Sequence, residues 1–452
     1  MLLIDIAKKI AENILRSNNI HIVAHRDADG VAAASIAVKA LERAGIDYSV
    51  EFVKQLDDKV SHDILNKNPE RIWLVDLGSN FDISMEAIIT DHHECLAINS
   101  SKYHLNPHLF GLDGTIDISG AGVTYLVARA MDRRNRDLSS LAIVGACGDL
   151  QDRRFRRLVG TNREILHDGI KCGVLDCIKD IQYFGRETKP VYKLLQYATD
   201  PIIPGLSGTE EACIAFLADL EIQLKQSNSW RRWVDLNKDE KRKILSSIAK
   251  RLLERGFGAK EVRKLVGEVY IIKSEHEGTE LHDAREFATL LNATARHGFS
   301  EIGLQICLGN REDALKKARS VLQSHRQDLS NGLQIARHDV MQREYLRYFH
   351  AKDNIKDTVV GIITSILLEE NGSDLPIVGF AVSDDGRIKV SARCAGSAKK
   401  RLDLSIAIHN AAKKVGGTGG GHSTAAGATI PAGSEDDFLK FLEEEIKEQL
   451  LF

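Results

Sequence analysis

Along the first 150 residues the apolar positions come in short runs, and the runs end on acids and histidines. Residues 20–25 (IHIVAH) are apolar up to a polar cluster, residues 49–53 (SVEFV) alternate, residues 71–77 (RIWLVDL) form another buried run, and residues 87–90 (AIIT) a third. Residues 31–44 (VAAASIAVKALERA) carry the helical period, as do Ile6, Ile10, Ile14 and Leu15, which with Asp5 and nearby lysines read as a surface helix rather than a signal peptide. Strands alternating with helices predict βαβ units, a mainly parallel sheet and an α/β fold class. In such sheets chemistry gathers beyond the C-terminal ends of the strands. Three strand ends deliver it here: His25, Asp27 and Asp29 follow the first run, Asp76 closes the second, and Asp91, His92 and His93 follow the third.

From about residue 160 to 350 the pattern is mostly helical and charge-rich, with helices predicted around 160–180, 209–226, 238–254 and 311–346. A strand-like insert, GEVYIIKSE (267–275), interrupts it, and IGLQICL (302–308) reads as a further strand. The last hundred residues return to α/β patterning. TVVGIITSILLEE (358–370) starts as strand or loop and turns into a helix, while 376–382 and 387–393 flank Asp384-Asp385-Gly386, a hairpin signal. A glycine cluster, GGTGGGH (416–422), precedes the small residues Ala425, Ala426 and Gly427. There is no internal repeat and no low-complexity segment. The expected division is an N-terminal domain over 1–195, a helical connector over 196–350 and a smaller C-terminal α/β domain over 351–452.

Composition narrows the partners. A length of 452 residues allows two or three domains, and a net charge of −3 means that any polyanion binding must come from local basic patches or bound cations. Seven cysteines without a C-x-x-C pair argue against a disulfide framework and a structural zinc site, and read as free thiols in a reducing cytoplasm. No apolar run approaches the roughly 20 residues that span a bilayer, so the expectation is a soluble, cytoplasmic protein without a membrane partner.

Carboxylates and imidazoles gathered at strand ends suit divalent cations such as Mn2+ and Mg2+. In HRDADG (25–30) alternate residues point one way if the segment is extended, and Gly30 permits a tight turn into the helix. Asp76 at the end of an apolar strand is costly to bury without a partner, and coordination resolves that cost. Each piece has a plainer alternative. Asp-Ala-Asp-Gly suits a helix-capping turn, Asp76-Leu77-Gly78 a strand-ending turn, His92-His93 two surface histidines, and GDLQD (148–152) a helix terminus. Their recurrence after successive apolar segments favours a metal cluster.

The order of these motifs, HRDADG (25–30), LVDLG (74–78), DHH (91–93) and GDLQD (148–152), resembles that of the DHH phosphoesterase superfamily. KVSARC (389–394) and GGTGGGHSTAAG (416–427) resemble its associated C-terminal substrate-binding domain. The resemblance covers roughly the first 150 and last 100 residues, and is nearest to the archaeal RecJ-like single-strand exonucleases, among them the GINS-associated nuclease. It implies one cation on His25, Asp27 and Asp76, and a second on Asp29, Asp76, His92 and Asp149, with Asp76 bridging. His93 becomes a hydrogen-bond donor or general acid, and Asp91 its orienter. Asp152 receives no role beyond capping the basic segment after it. Ser391, Arg393, Gly419, Gly420, Gly421 and His422 become the substrate-phosphate grip; the glycines fit neither a Walker loop nor G-x-G-x-x-G.

The implied activity is two-metal hydrolysis of single-stranded DNA or RNA from an end, the strand threading between the two terminal domains, with a GINS-type replisome protein as partner. The alternatives are an oligonucleotide or cyclic-dinucleotide phosphodiesterase, and a non-catalytic replisome scaffold. Three further segments stay open. Arg153-Arg154-Phe155-Arg156-Arg157 reads equally as a strand guide with a stacking ring or as a solvated helix face. Trp230-Arg231-Arg232-Trp233 has the same two readings, of which packing of the tryptophans on a neighbouring helix is the plainer. In the amphipathic helix 282–296, Arg285 and Asn292 either face the cleft or form an ordinary polar face.

Overall fold

Helix α1 (Leu3–Ile14) buries Ile6, Ile10 and Ile14, and the chain then enters strand β1 (Asn19–His25). This computed structural model describes residues 3–81, 87–95, 101–371, 375–383, 385–394 and 402–451. Helix α2 (Ala28–Ala44) starts three residues before the apolar periodicity does, because the Asp27 carboxylate caps it by accepting from Gly30 N at 2.9 Å. Strand β2 (Asp47–Val53), helix α3 (Asp58–Asn66), and strands β3 (Ile72–Val75), β4 (Ile88–Thr90) and β5 (His104–Leu105) complete a five-stranded sheet in the order β2-β1-β3-β4-β5. Every pairing in it is parallel, with Val23 opposite Leu74 and Leu74 opposite Ile89. Helices α4 (Gly120–Met131) and α5 (Ser139–Gly148) pack on α2 and on each other.

The expected helix 160–180 divides. Helix α6 (Gly160–Lys171) stops before Gly173, which takes a left-handed φ of 80°, and strand β6 (Leu175–Ile181) follows. Helices α7 (Val191–Gln196) and α8 (Glu210–Asp219) come next; α8 ends well short of 226, with Glu221 at φ 54° and a hairpin of β7 (Lys225–Gln226) and β8 (Ser229–Trp230). Helix α9 (Lys238–Glu254) has the predicted bounds, set by an Asn237–Glu240 capping box. After α10 (Ala259–Arg263), strand β9 (Val266–Ile272) pairs antiparallel with β6. Helix α11 (Ala284–Arg296) is followed by α12 (Ser300–Cys307), so the strand expected at 302–308 is a helix. Its buried residues Ser300, Gly303 and Ile306 recur every three positions, a helical spacing that the short apolar run disguises.

The chain forms two compact units, Met1–Arg319 and Ser320–Phe452, and helix α13 (Asp313–Asp339) runs across the division. In the second unit, strands β10 (Met341–Gln342) and β11 (Arg347–His350) precede α14 (Asp357–Asn371), which is helical throughout rather than starting as a strand. Strands β12 (Ile377–Val382) and β13 (Ile388–Arg393) pair as the expected antiparallel hairpin; Asp384 in its turn lies outside the described residues. Helix α15 (Leu404–Lys414), strands β14 (Thr418–His422) and β15 (Ala425–Ile430), and helix α16 (Glu435–Leu451) close the unit. Its six-stranded sheet runs β10-β11-β12-β13-β15-β14, and Val378, Phe380, Val390, Ile430, Phe438 and Leu442 form its core. The glycine cluster is therefore an edge strand and not a loop. Gly419 has a packing reason: a Cβ there would lie 2.9 Å from Ala428 Cβ and 3.0 Å from Ile408 Cγ2. No helix among the described residues is long and apolar enough to cross a membrane.

Candidate metal centre

Beyond the sheet edge the three strand ends converge. Asp76, one residue after β3, turns the chain with a left-handed φ of 61° while its N–H still donates to Thr90 O at 2.8 Å, and its carboxylate is buried. His25 Nδ1 lies 2.9 Å from Asp27 Oδ2 and 3.4 Å from Asp76 Oδ2. His92 Nε2 lies 3.1 Å from Asp149 Oδ2, 3.3 Å from Asp76 Oδ1 and 3.8 Å from Asp29 Oδ2. Asp29 is held by the start of α4, its Oδ2 accepting from Gly120 N at 2.6 Å and its Oδ1 from Ala121 N at 3.1 Å. That puts a carboxylate on the positive end of a helix dipole.

The donor set fits divalent cations on its own chemistry. His92 Nδ1 lies 2.6 Å from the carbonyl oxygen of Gly114 and donates to it, so Nε2 is the ring nitrogen aimed at three carboxylates and the one that could ligate a cation in place of a proton. Buried without a properly directed hydrogen bond are His25 Nδ1, both Asp76 oxygens and His92 Nε2. Carboxylates crowded into a buried site call for positive charge among them, which imidazolium protons or cations can supply. Two ligand triads have donor atoms within 4.8 Å of one another: His25, Asp27 and Asp76; and Asp29, His92 and Asp149. Asp76 also groups with His92 and His93.

The same crowding shows in the ionisation. Burial, with the charges of Asp76 and Asp149 beside it, pushes the Asp29 carboxyl well above its ordinary range, and burial raises Asp149 against the pull of His92. Burial opposes charge on His25 and His92, but the carboxylates around them override it and hold both well above the ordinary imidazole value. Asp27 is held low despite burial, through His25 and the Gly30 N–H.

Asp91 stands apart. Its Oδ1 accepts from His92 N at 2.8 Å and His93 N at 3.2 Å and lies 2.8 Å from His93 Nδ1, while its Oδ2 accepts from Ser79 N at 2.9 Å. Those donors offset burial and keep it well below the ordinary carboxylate range. The His93 ring is half exposed, with its centroid 4.6 Å from that of His92 and 5.8 Å from that of His25.

In the second unit, Ser391, Gly427 and Gly420 lie in one cross-strand row, and Arg393, Ala425 and His422 in another. The Arg393 guanidinium donates to Ser365 Oγ at 3.0 Å and Ser391 Oγ at 3.1 Å. Gly361 lets α14 approach them, since a Cβ there would stand 3.0 Å from Ser391 Oγ. Gly419 and Gly421 belong to the same strand, with Gly421 at φ 139°.

Several contributors carry no motif. A Cβ on Gly120 would meet Asp76 Oδ1 at 2.3 Å, one on Gly145 would meet Asp29 Oδ1 at 2.1 Å, and one on Gly114 would meet the His92 carbonyl at 1.9 Å. The Asn292 side chain accepts from Ala28 N at 2.9 Å, fixing α11 to the start of α2. Arg296, in the last turn of α11, is partly buried; burial lowers its pKa and the charge of Asp27 opposes that. Asp152 is buried and accepts from Arg285 Nε at 2.7 Å, so it anchors α11 instead of capping the basic segment. In that segment Arg156 pairs with Asp200, and Phe155 is exposed under the Arg154 guanidinium, 5.2 Å from its ring centroid. Trp233 is fully buried and donates to Asp180 Oδ1 at 2.8 Å, whereas Trp230 is exposed.

Family models match three stretches of the chain: the DHH family N-terminal domain over residues 19–147, a DHH-CID domain over 183–266 and a DHHA1 domain over 344–448. An uncharacterized protein of Methanocaldococcus jannaschii is 32% identical over 459 residues, covering 98% of this chain and 97% of the relative. The structure of RecJ from Thermus thermophilus with Mn2+ is 17% identical and matches 99% of this chain with a TM-score of 0.62; the chain spans 55% of its length. CDC45 from Entamoeba histolytica is 12% identical, with a TM-score of 0.68 over 97% of each chain. These two likenesses show a common fold.

Proposed function

The chain belongs to the DHH phosphoesterase superfamily and has a RecJ-like fold, and from that premise we propose that it hydrolyses single-stranded DNA or RNA from an end, as a divalent-metal-dependent phosphodiesterase. The observation that carries the reading is the convergence of Asp76, His25 and His92 donor atoms, buried and without directed hydrogen bonds, from three separate strand ends. His25, Asp27 and Asp76 would hold one cation, and Asp29, Asp76, His92 and Asp149 the other. Mn2+ and Mg2+ suit these donors, and RecJ of Thermus thermophilus is solved with each. Bound there, they would supply charge neutralisation at phosphorus and a lowered water pKa.

The protein's own groups do the rest. Asp91 fixes the His93 ring through Nδ1, leaving Nε2 to donate a hydrogen bond or proton to a phosphate or leaving oxygen. Arg296 adds a guanidinium beside Asp27, a donor matched to phosphate. In the C-terminal unit Arg393, steadied by Ser365 and Ser391, would grip substrate phosphate, with the Gly419–Gly421 strand and His422 in the same sheet. End-directed action is supported by the fold shared with a structure titled exonuclease RecJ, at a TM-score of 0.60. The fold shared with CDC45 favours a second reading, a non-catalytic replisome scaffold with a GINS-type partner; the complete donor set speaks against it.

The test is digestion of end-labelled single-stranded DNA and RNA with Mn2+, beside Asp76→Ala and a cyclic-dinucleotide control. Metal-dependent shortening lost in the variant supports the nuclease. Cleavage of the cyclic dinucleotide alone moves the protein to small substrates, and inertness on everything favours the scaffold.

A further inference from the structure

The turn after Asp149 borders a cavity of about 260 Å3, lined in part by Leu150, Arg153, Phe184, Tyr197 and Asp200. From it rings and cations alternate over the first unit, exposed at Tyr197 and Trp230 and buried between them at Tyr192. Lys189 Nζ lies 5.8 Å from the Phe184 ring centroid and 4.8 Å from that of Tyr197. Lys193 Nζ lies 5.8 Å from Tyr197 and 5.6 Å from Tyr192, and the Tyr192 ring meets Trp230 with centroids 4.8 Å apart. Lys225 Nζ sits 4.5 Å from the Trp230 centroid, because the two residues are cross-strand partners in the β7–β8 hairpin. Tyr197 is 50% exposed and Trp230 39%.

Single exposed aromatics need no explanation. Here the rings form one series, every exposed one carries a lysine, and the series begins at a cavity lined by Gly148 and Leu150, the chain neighbours of Asp149. Some of the cations already have counter-charges, as Lys193 has in Glu210. The alternation nonetheless matches a single strand, whose bases offer flat faces and whose phosphates recur between them.

We propose that the cavity and this stripe form a track for single-stranded nucleic acid, bases stacking on Tyr197 and Trp230 and phosphates lying along Arg153, Lys189, Lys193 and Lys225. The proposal rests on the nucleic-acid reading of the metal centre and adds a path to it. A base stacked on an exposed ring outweighs the lysine contact it displaces, and the freed ammonium turns to phosphate. A duplex, with its base faces hidden, gains only the charges.

The experiment uses the full chain with EDTA, so that no strand is cut, and labelled dT20. Fluorescence anisotropy is expected to show affinity falling roughly 5- to 100-fold in Tyr197→Ala and in Trp230→Ala, with melting temperatures unchanged. Because Trp73 and Trp233 are fully buried, quenching of tryptophan emission by dT20 reports on Trp230. Trp230→Phe keeps the affinity and loses the quenching. No binding of dT20 by the wild-type chain, or affinity unchanged in both alanine variants, overturns the proposal; so does binding of a polyglutamate peptide in place of dT20. Variant-sensitive binding without any hydrolysis in Mn2+ would leave the track standing and the nuclease reading refuted. Hydrolysis with variant-insensitive binding would do the reverse.

Discussion

Gly120→Ala tests whether the backbone around the proposed metal centre is as necessary as the proposed ligands themselves. Gly120 is the first residue of α4, and its N–H holds Asp29. The added Cβ would stand 2.3 Å from Asp76 Oδ1 and 2.7 Å from Asp76 Cγ. Comfortable heavy-atom separations are about 3.5 Å, so one partner must move by roughly 1 Å. Asp76 cannot retreat: it is buried, pinned to Thr90 through its N–H and already turned into left-handed backbone. Replacing glycine by alanine in a helix gains up to about 1 kcal/mol, while overpacking a filled site costs about 1–3 kcal/mol. Net stability should therefore fall by no more than about 3 kcal/mol. The site suffers more, because a carboxylate displaced by about 1 Å costs on the order of 100-fold in rate. The assays are Mn2+ titration calorimetry, oligonucleotide hydrolysis and thermal melting. A loss of both Mn2+ affinity and rate, with a fold that still melts cooperatively, is the expected result. Wild-type affinity and rate would refute the argument that Gly120 exists to admit Asp76.

Four other changes separate the roles further. Asp91→Asn places an amide where the Ser79, His92 and His93 donors converge, and hydrolysis should fall about 10- to 100-fold. His93→Gln should lower it similarly, and the double variant should lose little more; strictly multiplicative losses would show that Asp91 does not act through His93. Arg296→Met should lower kcat/KM by roughly 10- to 100-fold, the worth of a charged hydrogen bond. Its Mn2+ affinity should hold or rise, since a positive charge beside Asp27 has gone; a fall would mean that Arg296 only supports the fold. Glu286, buried beside Asp283, has its carboxyl pushed up to about 7. A raised carboxyl favours the folded state below its ordinary value of 4.5, and the advantage is lost as pH rises through about 7. That loss is at most about 3 kcal/mol, and Glu286→Gln should flatten it, seen as a smaller drop in Tm from pH 5 to 8. Identical pH slopes in the two proteins would count against the assignment.

The order of the chemistry was legible in the chain. His25, Asp27, Asp29, Asp76, Asp91, His92 and His93 each follow an apolar run, and an apolar run followed by a polar cluster is a local signal that marks a strand and its exit. The α/β class, the bounds of α9 and the β12–β13 hairpin follow from equally local features: periodicity, a capping box and turn residues. Where a short segment fits two periods, the sequence left the choice open, and packing made it. Residues 302–308 became a helix because Gly303 sits against Thr294 and Val31. Residues 175–181 became a strand because β9, about 90 residues on, supplied hydrogen-bond partners. The glycines at 419–421 carry no strand signal of their own, and pairing with β15 makes them a strand. Gly120, Gly145 and Arg296 were invisible for the same reason. Nothing in their neighbours along the chain refers to Asp76, Asp29 or Asp27, and they matter only because α4, α5 and α11 pack with α2 beside the strand ends. Local patterning determined which residues could hold the metals, and long-range packing decided what holds those residues in place.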